Sequence, residues 1–347
     1  MITPLRIASI VLAALLAAPP LVQAQQRSLN LYSARHYQTD EALYANFTRQ
    51  TGIAIKRVEA GDEALLERLR NEGRNSPADV VLLVDAARLW KAQIEGLFQP
   101  VKSSTLESRI PAHLRAKDDG KGSEWFAFST RARIIVYNKA SVNSADVRSY
   151  EDLAKPQLKG KVCTRSGTHP YMLSLIGAMS EHLGEAQAEQ WARGVVANFA
   201  RSPRGGDTDQ IKAVASGECG VALTNTYYLV RMMRSEKPED RDIVARVGVV
   251  MPNQASWGVH VNVSGGGVAR NAPDREAAVK FLEYLASDQA QLYLADGNNE
   301  WPVVASVTTK NPGLEALGKF KQDTRPIAAI GRSQVTAARI IDRAGWR

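Results

Sequence analysis

The chain has little cysteine: two residues, Cys163 and Cys219, among 347. No paired Cys-x-x-Cys units exist, so a thiolate zinc module is excluded. After the N-terminus no apolar run is long enough to span a bilayer, which excludes a helical integral membrane protein. Lys and Arg are scattered among Asp and Glu without a block of like charge. A basic face with aromatic platforms is missing too, so nucleic acid is not expected as a partner. Gly-x-Ser-x-Gly, His-Glu-x-x-His and a Walker-type loop are absent, and the chain is not expected to be an enzyme. It also lacks internal repeats and low-complexity tracts.

What is present starts with an export signal. Arg6 supplies a positive start, Ile7 to Ala18 an apolar stretch, and Val22-Gln23-Ala24 a small-residue cleavage site. Cleavage after Ala24 leaves 323 residues, Gln25 to Arg347, with no cysteine at the cut to carry a lipid and nothing to insert in the membrane. That length exceeds what one hydrophobic core usually serves, so two lobes are expected. Losing Arg6 lowers the formal charge from +8 to +7, an excess that suits an anionic ligand or solubility alone. Two cysteines in an oxidising compartment point to one Cys163–Cys219 disulfide, since both flank strand-like segments of one lobe. Two unpaired buried thiols are the alternative.

Hydrophobic periodicity gives α/β grammar. Ser28–Tyr32, Ile53–Val58 and Val80–Val84 read as strands, the last apolar throughout as in a strand buried on both faces. Helices are expected from Asp40 and from Asp62 between them. Strand, helix, strand, helix, strand is the order of a mostly parallel sheet. Phe126–Tyr137 reads as a long strand, and a second α/β unit follows through Cys163, Met172–Leu183, Trp191–Phe199 and Gly220–Leu223. Gly265-Gly266-Gly267 reads as a flexible joint, followed by an amphipathic helix over Ala272–Ser287. The chain is thus expected to cross between lobes twice, near Ser129–Tyr137 and Asn253–Val263. Residues 25–130 with 264–347 form lobe 1, and 131–263 form lobe 2. A ligand is expected in the cleft, at strand ends facing helix N-termini.

The most unusual local feature is Tyr227-Tyr228, where a buried strand breaks into a helix. Neighbouring residues at a helix start point different ways, so one packing surface does not absorb both. A hard trivalent cation can use both, because phenolate is a hard oxygen donor. Two packing aromatics is the bland alternative. His36 and Tyr37 lie between the first strand and the Asp40 helix. Tyr171 follows Pro170, which suits a first helical position. Each cluster sits where a strand hands over to a helix. Taken singly, His36 reads as a solvated loop residue, His169 as a turn residue, and Arg131 and Arg133 as an exposed strand face. Asp207 and Asp209 precede a helix and read as caps.

The motifs then converge. Leu31-Tyr32-Ser33-Ala34-Arg35-His36-Tyr37-Gln38-Thr39-Asp40 resembles the opening motif of bacterial periplasmic ferric-iron-binding proteins of ABC transporters. Asn225-Thr226-Tyr227-Tyr228 is similar to the same family's double-tyrosine motif, and Arg131-Ala132-Arg133, Gly205–Gln210, Gly217-Glu218-Cys219 and Asn299–Val303 are similar as well. The resemblance spans nearly the whole mature chain. It implies a two-lobed, hinged, type II periplasmic binding protein that captures Fe(III) and hands it to an inner-membrane ABC permease. It implies His36 and Tyr37 as first-lobe ligands, and Tyr171, Tyr227 and Tyr228 as second-lobe ligands. Arg131 and Arg133 would hold a synergistic anion such as carbonate. A periplasmic monomer is expected. Few soft donors in this set disfavour zinc or copper. The alternative is the same fold binding an anion such as phosphate or a polycarboxylate.

Overall fold

The structure, a computed structural model, describes residues 27–35 and 39–347. The expected signal over 1–24 and the loop residues His36 and Tyr37 lie outside the described residues. Among the described residues no helix is long and apolar enough to cross a membrane.

Ten strands are formed by the described residues: β1 (Ser28–Ser33), β2 (Ala54–Glu59), β3 (Val80–Leu83), β4 (Phe98–Gln99), β5 (Phe126–Asn138), β6 (Val162–Cys163), β7 (Val221–Asn225), β8 (Val247–Val250), β9 (Val261–Ala269) and β10 (Trp301–Pro302). Their order is β2-β1-β3-β9-β5-β7-β6, with β4 on β9 and with β8 and β10 on β5. β1 pairs in parallel with β2 and β3. Parallel neighbours need crossovers, supplied by the helices Asp40–Thr51 and Asp62–Glu72. All of β3 is buried, as its unbroken apolar run requires.

β5 joins two groups of strands. Its residues 126–132 pair with β9, and 133–138 pair with β7 and β8. The handover falls at Ala132–Arg133, inside the expected first crossing. The chain returns through a turn in which Asn253 adopts φ 59°, a left-handed conformation that asparagine tolerates. It then enters β9, where Val261 pairs with Ala132.

The triple glycine is no joint. Gly265, Gly266 and Gly267 lie inside β9, paired with β3 and fully buried. A Cβ at these positions would come within 2.5 Å of Phe126 O, 2.2 Å of Val81 O and 2.1 Å of Glu124 O respectively. Glycine is required here by close backbone approach, a use that sequence does not distinguish from a hinge.

The expected Cys163–Cys219 disulfide is present, with Cα atoms 5.8 Å apart, so the unpaired-thiol alternative falls. The last helix, Gln334–Ala344, lays Ala337, Ile340, Ile341 and Ala344 on the core of the β6–β8 group, among Ile135, Leu175 and Trp191. Trp346 completes this contact, donating from Nε1 to Thr164 Oγ1 at 3.1 Å.

Candidate metal centre

Three tyrosines gather where two strands of the second group end. After β6, His169 caps the helix Pro170–Leu183 and Pro170 takes its first turn, as the sequence suggested. The His169 Nδ1 accepts the Tyr171 N–H at 3.2 Å. This needs a neutral ring, and burial with Arg165 and Arg133 nearby lowers the His169 pKa to about 4. After β7, Tyr227 and Tyr228 open the helix Thr226–Met233. The Tyr171 and Tyr227 hydroxyls are 2.9 Å apart. The Tyr227 and Tyr228 rings sit 4.2 Å apart, centre to centre. Burial pushes the Tyr171 phenol up to about 12, opposed by Arg131 and by the bond to Tyr227 and reinforced by Tyr228. It is therefore a neutral phenol at pH 7 until something displaces its proton.

Beneath the tyrosines lies a buried ionic floor. Arg131 and Arg133 are each 1% exposed, so neither belongs to an open strand face. Their guanidinium carbons stand 5.7 and 5.9 Å from the Tyr171 ring centre, and that of Arg165 stands 5.1 Å away. Arg131 donates to Ser264 Oγ at 3.0 Å and to Val84 O, and lies 3.6 Å from Glu300. Arg133 donates to Asp207 at 2.6 Å and to Asn225 Oδ1 at 3.1 Å. Asp207 also pairs with Arg165 at 3.2 Å and accepts the Asn225 N–H at 2.7 Å. Asn225 stands at the N-cap of the Tyr227–Tyr228 helix but makes no side-chain cap, its oxygen going to Arg133 instead. Thr226 Oγ1 accepts the Ala132 N–H at 3.3 Å, which ties the same helix start to β5.

The tyrosines face a cavity of about 320 Å³. Its far wall comes from the first strand group: Ala34, Gly61, Asp62, Val84, Asp85 and Arg88. Its near wall is His169, Pro170, Tyr171, Tyr227, Tyr228 and Arg231. Asp85 follows β3 and caps the helix Ala86–Ile94. Burial raises its carboxyl pKa, against the opposing pull of Arg131 and its hydrogen bonds. Among the described residues no group of three or more His, Cys, Asp or Glu is placed to hold a metal ion. The phenols are the clustered hard donors of the cavity wall.

Of the residues singled out by sequence, Tyr171, Tyr227, Tyr228, Arg131 and Arg133 come together here. Asp209 caps its helix by accepting the Gly206 N–H at 2.7 Å, as read. Asp207 is not a cap: it is the first residue of the helix Asp207–Ser216, behind Gly206, and its carboxylate goes to Arg133, Arg165 and the Asn225 N–H as the anion of the buried floor. Asp85 and Arg165 belong to the same site without a motif to mark them; each stands two residues past a strand end, which is the one local signal they carry. Trp301 packs edge-on against Phe320 at 4.9 Å. His113 and His182 lie away from this cavity.

Solved structures share this architecture. A Trichodesmium protein, described as IdiA (FutA) in complex with iron and citrate ligands, matches with TM-score 0.88 and 49% identity over 92% of this chain and 100% of that one. Apo FutA2 from Synechocystis PCC6803 matches with TM-score 0.87 and 45% identity, covering 93% of this chain and 100% of that one. Fold and cleft together define a mixed α/β binding protein of the periplasmic type, not an enzyme. The pattern of the bacterial extracellular solute-binding proteins matches residues 42–322, and the chain belongs to that family. Within it, Iron uptake protein A1 of Synechocystis sp. is 48% identical over 93% of this chain and 88% of its own length.

Proposed function

We propose that this protein captures Fe(III) in the cleft through tyrosine phenolates and delivers it to an inner-membrane ABC permease. The observation that carries the reading is the Tyr171–Tyr227 hydroxyl pair at 2.9 Å beside the Tyr228 ring. Phenols with an ordinary pKa near 10 bind a metal at neutral pH only if it displaces their protons, and a trivalent hard cation does so strongly. Iron uptake protein A1 and the iron-and-citrate complex from Trichodesmium support the same cargo.

In this reading Tyr171, Tyr227 and Tyr228 are second-lobe ligands, and His36 and Tyr37 approach from the first lobe. Arg131 balances the charge or holds a synergistic anion such as carbonate. Arg133 is the weaker anion partner, because Asp207 already takes it. Lobe 1 is 25–130 with 264–347 and lobe 2 is 131–263, with helix Gln334–Ala344 riding on lobe 2. The protein is a periplasmic monomer freed by cleavage after Ala24.

Ligands divided between lobes reach one ion only when the lobes approach, so iron should close the cleft. Dialysis against ferric citrate followed by metal analysis should give one iron per chain, and small-angle scattering should give a smaller radius of gyration with iron than without. Binding of citrate or phosphate alone, with iron adding nothing, would establish the anion reading instead.

A further inference from the structure

The Asp85 carboxylate is fully partnered, which sets it apart from a metal ligand. One oxygen accepts the Ala87 N–H at 2.8 Å. The other accepts Asn262 Nδ2 at 2.7 Å. The Ser174 hydroxyl donates to the same carboxylate at 3.1 Å. These partners do not belong to one body. Ala87 lies on the helix that Asp85 caps. Asn262 lies on β9, and its own Oδ1 accepts the Ala86 N–H at 3.0 Å. β9 in turn pairs with β3 directly before Asp85. Asn262 stands in the second crossing, at the boundary of the lobes, and its two bonds, to Asp85 and to the Ala86 N–H, tie it to the helix Ala86–Ile94. Ser174 lies on the helix Pro170–Leu183 of the other strand group. It stands three residues after Tyr171, on the same helical face.

We infer that Asp85 and Ser174 are positioning residues that latch the closed cleft by one hydrogen bond between the lobes. The inference rests on the two-lobed ferric reading above. Opening the cleft breaks the Ser174 arm alone and leaves the Ala87 and Asn262 arms intact. Both residues are buried, Ser174 at 0% and Asp85 at 2% exposure, so the bond forms out of water. A hydrogen bond to a buried charged group is worth enough to shift an equilibrium about tenfold. Because Ser174 shares its helical turn with Tyr171, the latch fixes the height at which that phenol meets an ion in the cavity.

The test follows iron release from the loaded protein into excess EDTA, read as loss of visible absorption, with scattering measured alongside. Ser174→Ala keeps the helix, since alanine is a strong helix former. Asp85→Asn keeps a capping side chain. Each should release iron about tenfold faster than wild type, with the position of the visible band unchanged. The double variant should be no faster than Asp85→Asn alone, because that change already removes the carboxylate that Ser174 bonds. Wild-type release from Ser174→Ala, or additive effects, would overturn the latch. A wild-type protein without a visible band on iron loading would overturn the ferric reading instead. The latch would then be decided by the radius of gyration: larger in Ser174→Ala supports it, and an unchanged radius overturns it.

Discussion

The hydroxyls of Tyr171 and Tyr227 stand 2.9 Å apart although 56 residues separate them. One follows β6 and the other β7, and these strands are parallel neighbours. Sheet register therefore brings the two helix starts side by side. At that distance two phenolates would repel strongly, so the pair does not carry two negative charges until a cation arrives. Burial acts in the same direction on Tyr171.

Tyr227→Phe and Tyr228→Phe each remove one anionic donor while keeping the ring and its packing. Loss of a mere outer partner of a metal site costs up to about 100-fold in affinity, so loss of a ligand should cost at least about that much. Competition against a chelator of known affinity measures it, and the visible band should also shift. His36→Ala should cost less. Wild-type affinity in both Phe variants would remove the tyrosines from the site.

Acid should release the iron. Tyr171 sits near pKa 12 without metal, so it must lose a proton to bind. Lowering the pH returns that proton and weakens the complex, up to about tenfold per pH unit for each proton released. The visible band should fade as pH falls below neutral. A band that grows on acidification would contradict phenolate ligation.

The disulfide should matter for folding rather than for binding. It closes a loop between residues 56 apart, and loop-closure entropy predicts about 4 kcal/mol of stability. Thiol titration of denatured, unreduced protein should find no free thiol. Urea unfolding with and without reductant should show the stability difference, and equal midpoints would contradict it.

His260 should make the fold acid-sensitive. It is 2% exposed, its Nδ1 has no hydrogen-bond partner among the described residues, and it lies just ahead of β9. Burial, with Arg133, His182 and Arg131 adding and Asp323 opposing, lowers its pKa to about 4. The folded protein thus prefers the neutral ring. The stabilisation is complete above the unfolded pKa of about 6.5 and is lost as pH falls from there towards 4, by at most about 1.4 kcal/mol per unit. In urea unfolding at pH 7 and pH 5, His260→Gln should lose less stability than wild type. An equal loss would place the acid sensitivity elsewhere.

Much of this was legible in the sequence because local patterns decided it. The apolar run Val80–Val84 is typical of a covered strand, Pro170 marked a helix start, and Tyr171, Tyr227 and Tyr228 stood in the first turns of helices that follow strands. What stayed hidden depended on partners distant in sequence. Gly265–Gly267 reads as a hinge until β3 and the backbone of Phe126 close over it. Arg131 and Arg133 look like an open face until Glu300 and Asp207 arrive. The stripe on Gln334–Ala344 shows that the helix covers something, without showing which surface. Asp85 and Ser174 carry no motif, and only the fold brings them together.

The central claim is that phenolates of the cleft bind ferric iron, and visible absorption during titration of the metal-free protein with ferric citrate tests it most directly. A red charge-transfer band should rise linearly and stop at one iron per chain, and the Tyr171→Phe, Tyr227→Phe and Tyr228→Phe variants should each weaken or shift it. A protein that stays colourless at saturating ferric citrate, or a wild-type band in all three variants, would contradict the account.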